Sequence, residues 1–241
     1  SVDLTGATVA GATLDRSVLT GAILVGADLS GSSVEGAVFD GADLTDAVLI
    51  GVDFSSATLG EATLTGADLR GADLRLADLS SFDLRGADLS NARLSGAILV
   101  GANLVGADLR GASLVGANLS ESDLTGSDLR EADLSSALLV GATLVDVVVF
   151  ETSMVEAVLV RADLGDIDLE SVYLRNAIIT TDELRAASTI RREMEGIGWA
   201  GMDFRGHDFS GQDLSGKIFF EANLRGVDFS GANLRRADLR G

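Results

Sequence analysis

The sequence predicts an all-β solenoid, a chain coiling about one axis, interrupted by one α-helix near residues 181–195. Three observations predict it. A Leu, Val, Ile, Met or Phe stands at every fifth position from Leu4 to Ile179. The places between follow a recurring word, spelled twice in Gly66-Ala67-Asp68-Leu69-Arg70-Gly71-Ala72-Asp73-Leu74-Arg75. The rhythm breaks after Ile179, where apolar residues fall at spacings of three and four, and resumes at Phe204. Self-similarity at a short fixed period outranks any local helix or strand pattern.

A period of five is matched by neither the 3.6 residues of a helical turn nor the two of a strand. It cannot lay one apolar stripe along either. A long helix would also hold Gly and Asp at interior positions, where both are poor. If instead each five-residue unit forms one side of a closed turn, every fifth side chain points to the axis.

Gly-Ala-Asp-Leu-Arg (66–70), Gly-Ala-Asn-Leu-Val (101–105) and Glu-Ala-Asp-Leu-Ser (131–135) resemble the words of pentapeptide-repeat proteins. The resemblance spans most of the chain. It implies a right-handed, four-sided parallel β-helix with four repeats, hence twenty residues, in each coil. It also implies that the apolar centre and the small residue two places earlier point inward, while the other three face out. Ala7, Ala12, Ala27, Ala67, Ala107 and Ala157 fit that small column, and small and large residues in alternation close-pack. Phe82 departs from it and is read as a local bulge. Residues 1–180 then form a solenoid of about nine coils, roughly 43 Å long at the inter-strand spacing of about 4.8 Å.

On this scheme outward residues twenty apart share a wall. One wall carries Asp28, Asp68, Asp88, Asp108, Asp128 and Asp168 before its centres. Asp in that place hydrogen-bonds turn backbone, and Arg70, Arg110 and Arg130 two places on neutralise part of the row; an acidic recognition stripe is the other reading. A second wall carries Val18, Val38, Ile98, Leu138, Val158 and Ile178 where the repeat word has Asp or Asn, with Val100, Val140 and Val160 after the centres. An exposed apolar column marks an interface, although β-branched residues also suit a pleated surface on their own account.

Residues 181–198 read as an amphipathic helix and a Gly-containing linker. Thr180 with Glu183 forms a capping box, Leu184, Ala187, Ile190, Met194 and Ile197 make the packing stripe, and Gly196 and Gly198 end it. The helix is expected to cover solenoid core; Arg191 and Arg192 beside it are too few for a nucleic-acid patch. Residues 199–241 are a second pentapeptide-repeat segment of about two coils. The step from Ile179 to Phe204 preserves the phase, which puts Ile218 and Phe220 on the apolar wall of one continuous rod. Met202, His207, Gln212 and Lys217 occupy places that want Ala, which suits the open first coil of a fresh solenoid. Both arrangements stand.

The chain has 241 residues, a formal charge of −19, no Cys, no Pro and a single His. Direct nucleic-acid binding needs clustered Lys and Arg. Thiolate metal sites, disulfides and His-based triads are excluded, and the glycine-aspartate pattern of calcium-binding β-rolls is absent. Mean hydropathy is +0.31, yet no apolar run reaches the roughly 18 residues of a membrane span. No leader is visible, Ser1 stands where an initiating Met would, and the repeat is in phase by Leu4, which suits a piece of a longer protein; a cytoplasmic home is the default. No cofactor or metal is expected, nor an enzyme, because a convex rod offers no catalytic cleft.

The expected function is a rigid, non-enzymatic scaffold that binds a protein partner or itself through the apolar wall. The alternative comes from the resemblance: some pentapeptide-repeat proteins protect type II topoisomerases by imitating DNA, so DNA gyrase is the partner on that reading. Duplex DNA presents a charge about every 3.4 Å on each strand. The acidic wall offers one about every 7 Å at the assumed rise, and Arg dilutes it.

Overall fold

A computed structural model describes residues 2–175, 177–179 and 204–240. The chain pairs with itself in parallel at a fixed offset of twenty residues, as in Thr8↔Asp28, Asp88↔Asp108 and Leu138↔Val158. Within each twenty residues the path turns four times. The N–H groups of Ala7, Ala12, Ser17 and Ala22 each donate back to the carbonyl of the apolar centre three places earlier. Every side of the coil is therefore one five-residue word.

The word follows from the backbone's hydrogen-bonding needs. In 107–111, Ala107 N–H closes the turn on Leu104 C=O (3.0 Å), Asp108 N–H donates to Ala87 C=O (2.9 Å), Leu109 N–H to Asp128 C=O (2.8 Å) and Gly111 N–H to Arg130 C=O (2.9 Å). The fifth donor, Arg110 N–H, is met by the carboxylate of Asp108 at 3.1 Å. Asp or Asn before the centre repeats this bond at Asp28 with Ser30, Asn103 with Val105 and Asn118 with Ser120. The residue after that donor is left-handed, with φ of +62° at Gly6 and +64° at Gly71, which is why Gly opens the word. At Gly71 a Cβ would meet nothing within 4 Å, so Gly71→Ala should cost about 1 kcal/mol through φ alone. Glu131, at φ +61°, should gain about as much as Glu131→Gly; urea midpoints of both variants check the pair.

The core is two stacked inner columns. Leu64, Leu84, Leu104, Leu124 and Leu144 are fully buried, as are Ala67, Ala87 and Ala117. Leu4, Val9 and Leu14 of the first coil are half-buried, as are Leu224 and Leu234 of the last, because each has a neighbouring coil on one side only. Among the described residues one coil-to-coil bridge is missing between Ser33 and Asp53, where Gly36 N–H turns to Ser56 Oγ at 3.2 Å, and there are two larger irregularities. Near 165–171, Gly165 adopts φ +47°, a 3₁₀ turn covers Leu169–Ser171, and regular pairing returns as β1 (Thr152–Ser153) alongside β2 (Val172–Tyr173). The other lies where Phe82 stands in the small column. Between Phe54 N–H to Asp73 C=O (2.8 Å) and Gly66 N–H to Arg85 C=O (2.9 Å), no backbone bond among the described residues joins the two coils. Ser56 is also the one corner from 6 to 161 without the left-handed φ.

Residues 204–240 repeat the scheme, with Asp208↔Asp228, Asp213↔Asn233 and Ile218↔Asp238 in register. Their interior is aromatic: Phe204 meets Phe209 edge to face at 5.4 Å and His207 at 5.1 Å. His207 and Lys217 are buried in places that hold Ala elsewhere. The helix expected at 181–195, its stripe Leu184, Ala187, Ile190, Met194 and Ile197, Arg191, Arg192 and Met202 lie outside the described residues.

Candidate interaction surface

The apolar residues singled out from the sequence do share one wall, but not as one strip. The register runs Val18↔Val38↔Thr58, and then Asp78↔Ile98↔Asn118↔Leu138↔Val158↔Ile178. Three polar residues thus divide the column, a correction to the contiguous one expected. Leu138, Val158 and Ile178 stack in successive coils, with Val140 and Val160 beside them; Gly141 N–H donates to Val160 C=O between those two. Val18 and Val38 make a shorter pair. Ile98, with Val100, stands between Asp78 and Asn118. Leu138 is 40% exposed, Ile178 47% and Val18 75%. Ile218 and Phe220 are exposed as well.

An apolar side chain here has no acceptor to offer. Val18, Ile98, Leu138 and Val158 therefore cannot make the bond that Asp108 makes to Arg110 N–H. A side-chain hydrogen bond of this kind contributes on the order of 1 kcal/mol, so these positions depart from what favours the coil itself.

Of the acidic wall, Asp68, Asp88, Asp108 and Asp128 stack in unbroken register, while Val48 separates Asp28 from them and Val148 follows Asp128. Asp168 has no bridge to Val148 among the described residues. Each stacked carboxylate caps its turn. Three also hold a guanidinium: Arg70 on Asp68 at 2.6 Å, reaching Asp88 at 3.7 Å, Arg110 on Asp108, reaching Asp128 at 3.8 Å, and Arg130 on Asp128. Four carboxylates and three guanidinium groups leave little net charge on this stretch. Beyond it, Val148 and Phe150 replace the Asp and Arg of the word and are both about half exposed, as is Tyr173, which stands on the neighbouring wall in register with Ser153. Sequence reasoning passed over these three, although Val and Phe in Asp and Arg places were the signal.

The model for pentapeptide repeats matches in eight copies, over residues 1–36, 22–60, 72–111, 87–126, 112–148 and 201–241. The chain belongs to the pentapeptide repeat family. Its fold is the family's right-handed quadrilateral β-helix. Among solved structures this pentapeptide repeat protein is similar to HetL, a pentapeptide repeat protein involved in heterocyst differentiation regulation from the cyanobacterium Nostoc sp. strain PCC 7120, at 28% identity over 99% of this chain and 87% of that one, TM-score 0.46. It is similar to trypsin-treated QnrB1, a plasmid-mediated fluoroquinolone resistance protein, at 22% identity over 84% and 88%, TM-score 0.45. A pentapeptide repeat protein from the Arabidopsis thaliana thylakoid lumen shares 31% identity over 46% of this chain and 71% of that one, TM-score 0.21. No curated protein matches.

The pentapeptide caps are electrostatically tuned. Hydrogen bonds from Arg70, Arg110 and Arg130 hold Asp68, Asp108 and Asp128 below the ordinary carboxylate range, and Arg85 lowers Asp83 to about 2. A carboxyl whose folded pKa is depressed stabilises the fold above its unfolded value, and that stability fades as pH falls through the folded one. The thermal midpoint is therefore expected to be flat from pH 7 to about 4 and to drop between about 4 and 2; a calorimetric series over that range checks it. Asp73, absent from the sequence-derived rows, is buried between two cations, Arg75 at 2.6 Å and Arg93 at 2.9 Å. No group of His, Asp or Glu that could hold a metal occurs among the described residues, and no helix among them is long and apolar enough to cross a membrane.

Proposed function

We propose that this pentapeptide repeat protein is a non-enzymatic rigid scaffold that associates, with a second copy or another protein, through the strip Leu138, Val158 and Ile178 flanked by Val140 and Val160. One observation carries this reading. Leu138, Val158 and Ile178 face outward in successive coils, Leu138 and Ile178 exposed and Val158 half-buried, in the place where the fold's own backbone calls for Asp or Asn. Local β-preference favours Val and Ile on a pleated wall, but it does not account for Leu138 or for the loss of the cap. Stacked apolar side chains left in water are what an interface covers.

The test is the double variant Leu138→Asp, Val158→Asp. It restores the cap at both turns, so the rod should unfold no earlier than the parent. Sedimentation velocity should at the same time show the parent's self-association, or its capture of a partner, abolished. Unchanged association with intact folding would sink the proposal. The DNA-imitating alternative, with gyrase as partner, has less support, because the stacked carboxylates are held by Arg70, Arg110 and Arg130. A supercoiling assay with gyrase and inhibitor, with and without the protein, tests it directly.

A further inference from the structure

The opened seam around Phe82 forms a cleft of about 390 Å³. Its floor is apolar, made by Ala57, Leu59, Ala77 and Phe82, and its rim carries the carboxylates of Asp40, Glu61 and Asp78. This corrects the expectation that a convex rod offers no cleft. The coil that carries Phe82 is itself regular, its turn closed on Leu79 C=O at 3.2 Å and Asp83 in register with Asn103; the departure read from Phe82 shows instead, among the described residues, as missing bonds to the preceding coil. Phe82 is nearly buried and stands where Ala would let two coils close to bonding distance. From Ala57 to Leu64 the backbone is consequently free of its usual cross-coil partners at 77–84.

The three rim carboxylates differ from five of the stacked Asp residues in one respect. Asp68, Asp73, Asp83, Asp108 and Asp128 each hold an Arg of this chain. Asp40, Glu61 and Asp78 form no ion pair among the described residues; Asp40 accepts from Gly60 N–H at 2.9 Å and Asp78 from the Ser80 hydroxyl at 2.7 Å. The cleft thus combines a hydrocarbon floor long enough for an aliphatic stem with an acceptor-rich, uncompensated rim. That combination matches a long cationic side chain, which buries its stem and presents its head to oxygen.

We infer that the Phe82 cleft binds an organic cation with an aliphatic stem, a guanidinium or alkylammonium group. Phe82 and Leu59 line the stem, and Glu61, Asp78 and Asp40 receive the head. The cation arrives either as a basic side chain of a polypeptide or as a free small molecule. Phe82 here is a positioning residue that holds the coils apart, and the carboxylates supply recognition.

The probes are agmatine and the blocked tripeptide Gly-Arg-Gly, with the citrulline peptide as neutral control, followed by amide NMR on the full chain. Saturable shifts are expected at the amides of 57–62 and 77–82, with none from the citrulline peptide. The double variant Glu61→Gln, Asp78→Asn should bind about tenfold more weakly or worse. It should fold normally, because Asn caps the same turn at Asn103 and Asn118. Phe82→Ala should re-form the seam, visible as slowed exchange of the Leu59 and Leu64 amides, and lose binding altogether. Tighter binding of the tripeptide than of agmatine assigns the site to a polypeptide side chain, and the reverse order assigns it to a free cation. Shifts spread evenly over all the acidic walls, retention of affinity in the carboxylate variant, or equal binding of the citrulline peptide would overturn the inference.

Discussion

Replacing Leu104 with Ala is expected to destabilise the solenoid by about 2–5 kcal/mol, among the largest effects of any single conservative change in the chain. Leu104 is fully buried, with Leu84 in the coil before it and Leu124 in the coil after it. A truncated centre leaves a void on the axis that cannot collapse, because the flanking backbones are pinned by Leu84 N–H to Asn103 C=O and Leu104 N–H to Asp123 C=O. Stability in a stacked repeat is dominated by nearest-neighbour interfaces. The loss should therefore appear as early hydrogen exchange at the coils holding Leu84 and Leu124, with the coil of Leu144 affected less. Denaturant midpoint and site-resolved exchange together measure it.

Asp73→Ala is expected to cost about 1–3 kcal/mol, since three roles end at once. The carboxylate caps Arg75 N–H at 3.2 Å, pairs with Arg75, and bridges to Arg93 in the next coil at 2.9 Å. It is the one Asp among the described residues buried below a tenth of its surface. Asp73→Asn keeps an acceptor for the cap and loses only the ion pairs, which involve half-exposed guanidinium groups worth about 0.5–1 kcal/mol. Comparing the two variants by urea denaturation separates backbone capping from charge pairing. Equal losses in both would assign the whole effect to charge.

Much of this was legible in the sequence, because the word encodes backbone geometry directly. Leu at each fifth place, Ala two before it and Gly at the corner are dictated by an axis, a tight approach and a left-handed φ, each of which has one cheap solution. Phe82 announced a local departure because a ring is large for a place that holds Ala in the neighbouring coils. That it opens a cleft was not legible, since sequence does not say whether an oversized side chain is absorbed by repacking or by parting the coils. The capping role of Asp could be guessed; which N–H it serves emerges only once the other four donors of the word are assigned. The division of the apolar wall by Thr58, Asp78 and Asn118 was readable by counting in twenties. Selecting only the apolar members of the column concealed it.

The twenty-residue register underlies every column, strip and cleft described. It is tested most directly by pulsed electron-spin distances between nitroxides on introduced cysteines, which are unique in a chain without Cys. Val48, Val148 and Thr8 lie on one wall, joined coil by coil by parallel bridges, and none of them supplies a carboxylate cap. With a rise of about 4.8 Å per coil, Val48→Cys with Val148→Cys should give about 24 Å, and Thr8→Cys with Val148→Cys about 34 Å. Distances that fail to grow in proportion to the number of intervening twenties would contradict the register and everything built on it.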